Sequence, residues 1–161
     1  MAKKRKPQVR VTPIMHAIEP WHTLHDLLRS GDYHNLGGSP DEEILAHVRQ
    51  TQEERSPHRE HFLVHFDEDL THEEAMAGLE RLQLHPGLPF TLAVVGAKFP
   101  QFMEDFPIVA PGFIFTRTVF LGMQHCYVLR KEIWGPQFSA CPIGGIWMEH
   151  YRFLVHRDRP G

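Results

Sequence analysis

Beyond Phe106 the chain changes period. Residues 107–110, 113–121, 127–129 and 151–156 are short runs of β-branched and aromatic residues, cut apart by glycine and proline. Such runs read as strands joined by turns. One further strand lies upstream, His61-Phe62-Leu63-Val64-His65-Phe66, with Phe62, Val64 and Phe66 on one face and His61, Leu63 and His65 on the other. The remaining order signals are helical. Trp21, Leu24 and Leu28 fall at i, i+3 and i+7, and Ser39-Pro40-Asp41-Glu42 has the residues of a capping box before Ile44, Leu45 and Val48. Thr71-His72-Glu73-Glu74 is a second capping box, opening a helix whose Ala75, Leu79 and Leu82 share a face and which ends by Pro86-Gly87. Helices first, one strand, one or two helices, then a mostly antiparallel sheet is an α+β order, not the alternation of a parallel sheet.

Residues 91–99 fit two patterns. Val94-Val95 favours a strand, whereas Thr91 as N-cap and a stop before Pro100 favour a helix. The chain divides into a basic disordered arm over 1–13, an N-terminal helical segment over 14–60 and an α+β domain over 61–161. At 161 residues, with 42% hydrophobic and 23% charged residues, it has the composition of a globular protein that needs no metal or disulfide to fold. No run of 18 apolar residues is present, which excludes a transmembrane helix. The basic start lacks an apolar stretch after it, which argues against a secretory signal and for a cytoplasmic protein.

The net charge of −3 conceals an asymmetry. Lys3, Lys4, Arg5, Lys6 and Arg10 put five of the 17 basic residues into the first ten positions, leaving the other 151 with 12 basic and 20 acidic side chains. A short cationic arm on an acidic body could touch nucleic acid, although a solvated tail that keeps the protein soluble accounts for it more simply. Histidine is over-represented, at 13 of 161, and His58, His61, His65 and His125 form the pool for a histidine-dependent metal site. On a strand, however, His61 and His65 lie about 13 Å apart, too far for one ion. There is no H-E-x-x-H, no C-x-x-C and no glycine-rich phosphate loop, and no catalytic residue stands out. Cys126 and Cys141 read as two buried thiols, with a disulfide open if their strands pair.

The stretch from 131 to 151 is the most suggestive surface. Trp134, Phe138, Trp147 and Tyr151 stand among Gly135, Pro136, Pro142, Gly144 and Gly145, with Glu149 and Arg152 at the polar rim. Aromatic anchors on a turn-rich scaffold suit a non-enzymatic binding module for a protein or a small ligand, with no cofactor and no membrane. The competing reading puts Trp134 and Trp147 in the core of a small sheet.

Residues 61–112 also resemble a family of uncharacterised small proteins of candidate-phylum bacteria. The resemblance rests on the Leu63-Val64-His65-Phe66 strand, Thr71-x-Glu73-Glu74-Ala75, Gly96-Ala97-Lys98-Phe99-Pro100 and Phe106-Pro107-Ile108-Val109-Ala110. Gly31-Asp32-Tyr33 and residues 151–157 fit it as well. It implies a helix at 91–99, from which Ala93-Val94-Val95 departs, and brings neither an activity nor site residues. More loosely, the element order is similar to the C-type-lectin-like fold of formylglycine-generating-enzyme relatives and of diversity-generating retroelement targets. That similarity implies ligand contacts on the loops before the last strand, here 131–150. The calcium-site tripeptides and the enzyme's cysteine pair are missing, so it implies a binding scaffold rather than a lectin or an oxidase.

Overall fold

The computed structural model describes residues 8–15, 27, 33, 42–52, 59–117 and 122–158. The described strands are β1 (Val9–Met15), β2 (Arg59–Phe66), β3 (Leu70–Thr71), β4 (His85–Pro86), β5 (Ile108–Arg117), β6 (Met123–Glu132), β7 (Gly135–Pro142), β8 (Ile146–Trp147) and β9 (Arg152–Asp158). The described helices are α1 (Glu42–Gln52), α2 (His72–Arg81) and α3 (Pro89–Lys98), with a 3₁₀ turn at Pro100–Met103. The main sheet runs β1-β2-β9-β5-β6-β7, with β4 beside the later half of β9, and β3 pairs with β8 apart from it. Every pairing is antiparallel except β5 with β9. The fold is α+β.

Both faces of this sheet are covered. On one face Leu63, Ile108, Tyr127, Leu129, Phe138 and Leu154 pack against Ile44 and Val48 of α1 and Phe90 to Val95 of α3. On the other, Val64, Phe66, Val109, Val128, Phe153 and Val155 meet Ala75 and Leu79 of α2 and Trp147 of β8. Strand periodicity explains the split: alternate residues of β2 and β9 enter opposite cores, so a strand buried on both sides shows no clean polar face.

Two boundaries differ from the sequence reading. Val9 to Pro13 are not a disordered arm, because β1 pairs along β2 from Val9↔Phe66 to Pro13↔Phe62 and adds the outermost strand of the sheet. Nor is α1 separate from the domain that follows, since Ile44 and Val48 belong to the same core as β2 and β9. The helix at 21–28, apart from buried Leu27, and the Ser39 cap lie outside the described residues.

Helix α2 begins as its sequence dictates. Thr71 Oγ1 accepts from the Glu74 amide and the Thr71 amide donates to Glu74 Oε1, both at 3.2 Å. Helix α3 resolves the ambiguity at 91–99. It starts earlier, with Pro89 in its first turn, and Pro89 through Gly96 are all buried. A helix apolar on every side has no stripe to betray its period. Thr91 is therefore interior and not the cap. Instead the Phe90 amide donates to Thr51 Oγ1 of α1 at 3.1 Å, so one helix satisfies a buried first-turn amide of the next. Gly96 lets Tyr33 lie against α3, since a Cβ there would collide with the Tyr33 hydroxyl. That hydroxyl donates to the Ala93 carbonyl at 2.6 Å.

Thr51→Val keeps the shape of the side chain but strands the Phe90 amide in the core. It should cost roughly 1–3 kcal/mol of stability, read as a lower midpoint in denaturant at unchanged slope.

Candidate functional site

The four aromatic residues of the 131–151 stretch do not form one surface. Phe138 is fully buried, packed edge-on to Tyr33 at 5.7 Å and against Tyr127 at 5.3 Å. Trp147 is 4% exposed and fills the opposite core. Its indole N–H donates to His72 Nδ1 at 3.3 Å, and its ring meets Tyr151 and Phe153 edge-on. Alternation on β7 and the β3–β8 pairing send Phe138 and Trp147 to opposite sides of the sheet, which corrects their reading as joint anchors. Trp134 alone of the four stays well exposed, at the tip of the β6–β7 hairpin beside Ile133. Glu149 is exposed, with its amide held by Asp69 at 2.8 Å.

The histidine pool does not converge either. His58 lies outside the described residues. His65 donates through Nε2 to the Glu149 carbonyl at 2.7 Å, and His125 through Nδ1 to the Met123 carbonyl at 2.8 Å. His61 and His65 share a face of β2 but sit two pleats apart, as expected for a strand. Among the described residues no group of three or more histidine, cysteine or acidic side chains could hold a metal ion.

What surrounds His61 is a row that sequence spacing conceals. His61 faces His156 across β2–β9, and His156 faces His85 across β9–β4. The ring centroids are 6.2 and 5.4 Å apart. Next along the same face, Arg59 Nε donates to Asp158 Oδ1 at 3.0 Å, and one pleat inward lie Leu63 and Leu154 of the core. Burial, then the Arg59 charge, pushes His61 down to about 4, with Asp158 acting the other way. His156 falls to about 3 through burial, the Arg59 charge and its two histidine neighbours. Both rings are neutral at pH 7.

At the other end of the same face the strands build a second site. Arg10 and Thr12 of β1, His65 of β2 and Arg152 of β9 line a cavity of about 230 Å³, floored by Leu63 and closed by Gln101, Phe102, Asp105 and Phe106. Arg152 lies over the Phe106 ring at 3.9 Å and donates to the His150 carbonyl at 2.9 Å. Burial and then the Arg10 charge lower its pKa, so the two guanidiniums stand within reach of each other's field. Neither arginine forms an ion pair with Asp105 or any other carboxylate among the described residues. The structure thus joins three sequence candidates, Arg10, His65 and Arg152, that had been assigned to three different roles. Lys3, Lys4, Arg5 and Lys6 lie outside the described residues.

No protein-family model, curated protein or solved structure matches this chain. Its site must be read from its own geometry.

Cys126 and Cys141 face each other across β6–β7, and both are thiols. Burial raises both above the usual thiol range. No described helix is long and apolar enough to cross a membrane.

Two predictions follow from these environments. The folded state resists protonating His61 and His156, whereas the unfolded chain takes up those protons near pH 6.5. Their contribution is therefore intact above pH 6.5 and is lost as the pH falls from there towards 3. Melting of metal-free protein, followed with chelator present, should drop steeply across that window, and His156→Leu should flatten the drop. Alkylation at pH 8 should label Cys141 before Cys126, because Cys126 is fully buried. Mass spectrometry of the peptides reads the order.

Proposed function

We propose that the chain is a non-enzymatic binding module whose ligand carries an anionic group, received between Arg10 and Arg152. The observation that carries this reading is the pair of arginines at one cavity without a carboxylate partner among the described residues. Like charges held together cost free energy, and an anion between them removes that cost and gains charge-assisted hydrogen bonds. Stacking on Phe106 holds the Arg152 guanidinium plane while leaving its edge N–H groups for a fork-like contact. Thr12 and Gln101 add neutral hydrogen-bonding groups at the wall. A cavity of about 230 Å³ is smaller than the usual pocket for a drug-sized molecule, so it suits the head of a ligand, a carboxylate or a phosphate, with the remainder outside.

A second reading keeps a protein partner at the β6–β7 tip. Ile133 is 98% and Trp134 59% exposed there. The tip also falls within 131–150, where the lectin-like resemblance places ligand contacts.

Titration calorimetry with inorganic phosphate and with succinate, at low and high salt, tests the first reading. Saturable binding that weakens with salt is expected, and Arg152→Gln should reduce it about tenfold or more, the worth of one charge-assisted hydrogen bond. Equal affinity in the folded variant would refute it.

A further inference from the structure

We infer that the outer edge of β1 is a docking edge for a second copy of this chain, whose own β1 adds to it antiparallel about a two-fold axis at Val11. Among the described residues β1 and β7 are the outermost strands of the main sheet. Which backbone groups each turns outward follows from the antiparallel ladder, where opposed residues alternate between exchanging both hydrogen bonds and exchanging none. The Asp67 amide donates to the Gln8 carbonyl at 3.1 Å, one position beyond the Val9↔Phe66 pair, so Gln8, Arg10 and Thr12 bond to β2 while Val9, Val11 and Pro13 face outward. At the other edge the Ile143 amide donates to the Gln124 carbonyl at 3.1 Å. That register leaves Pro136, Phe138, Ala140 and Pro142 of β7 facing outward.

The two edges differ in what they offer. Proline fills both end positions of the outward set on β7 and has no N–H to give, a common guard against strand addition. On β1 the outward Val9 and Val11 keep their amides, and their side chains are 46% and 40% exposed. A second β1 matches this pattern. With Val11 opposite its own copy, the two Val11 residues exchange both hydrogen bonds, and each Val9 amide meets the Pro13 carbonyl of the other copy. Every outward N–H of β1 is then satisfied, and proline falls where only an acceptor is needed. Arg10 comes to lie beside Thr12 of the other copy and not beside a second arginine, so no like charges are opposed. Val9 also borders an apolar groove of about 440 Å³ lined by Phe66, Leu70, Ala77, Gly78 and Leu82, and the added strand brings its Pro13 beside Val9 there. Apolar burial thus accompanies the backbone bonds, the usual combination in strand addition. The two-fold pairing consumes the open edge of both copies and leaves only the proline-guarded β7 edges, so it closes at a dimer.

Sedimentation equilibrium of the full chain between about 5 and 500 μM tests the pairing. The mass should rise from that of one chain to that of two and no further. Val11→Lys opposes two ammonium groups across the axis and Val11→Glu two carboxylates, and each should weaken the dimer about tenfold or more. Mixed one to one, the two variants should recover it, because the axis then brings opposite charges together. Val11 is exposed and packs in neither core, so both variants keep the fold, which far-UV circular dichroism verifies. Val11 also lies outside the Arg10–Arg152 cavity, so the anion site and the dimer are tested separately. A wild-type chain that stays monomeric throughout the range would overturn the inference. So would a dimer of unchanged strength in both variants, or a mixture that associates no more tightly than either variant alone.

Discussion

The antiparallel pairing of β2 with β9 is the interaction on which the rest of the molecule depends. It joins residues 59–64 to 153–158 through the middle of the sheet and supplies the residues that both cores pack against. Leu63 and Leu154 feed one core, Val64 and Phe153 the other. Burying each such side chain contributes on the order of 2 kcal/mol. β1 then adds to the outer edge of β2, while β5 and β4 divide the remaining edge of β9 between its first and second halves. Gly112 makes that division possible. Its amide donates to the Gly87 carbonyl at 2.7 Å, and a Cβ at Gly112 would press on the Gly87 and Pro86 carbonyl oxygens.

The same ladder positions the imidazole row and the Arg10–Arg152 cavity. Along one face of β2 the side chains alternate Arg59, His61, Leu63, His65, and along β9 Asp158, His156, Leu154, Arg152. The leucine pair is the dry centre, and polarity rises in both directions from it. Towards one end come the imidazole row and then the Arg59–Asp158 pair; towards the other lie His65, Arg152 and, on β1, Arg10. A polar group at the margin of a core is only partly desolvated, which is where it can reach a ligand and still be held rigidly by packed strands.

How far the sequence discloses this follows from which signals are local. The capping box at Thr71–Glu74 and the alternation of Phe62, Val64 and Phe66 are complete within a few residues, and both appear in the structure as read. Helix α3 is ambiguous because a buried helix and a buried strand are equally apolar. β1 was hidden by the basic residues before it, although Val9-Arg10-Val11-Thr12 carries the two-residue period of a strand. Composition could gather Phe138 and Trp147 but could not say that β7 and β8 send them to opposite faces. The site residues depend on non-local register. His61, His85 and His156, and likewise Arg10 and Arg152, are brought together by strand order, which no spacing along the chain encodes.

A crystal structure of the protein grown with inorganic phosphate tests the anion site at the Arg10–Arg152 cavity most directly. It should show phosphate between the two guanidiniums, bound by Arg152 still stacked on Phe106. A crystal in which Asp105 instead bridges Arg10 and Arg152 and the cavity is closed to the anion would contradict the claim, because the paired charges would then be satisfied within the fold.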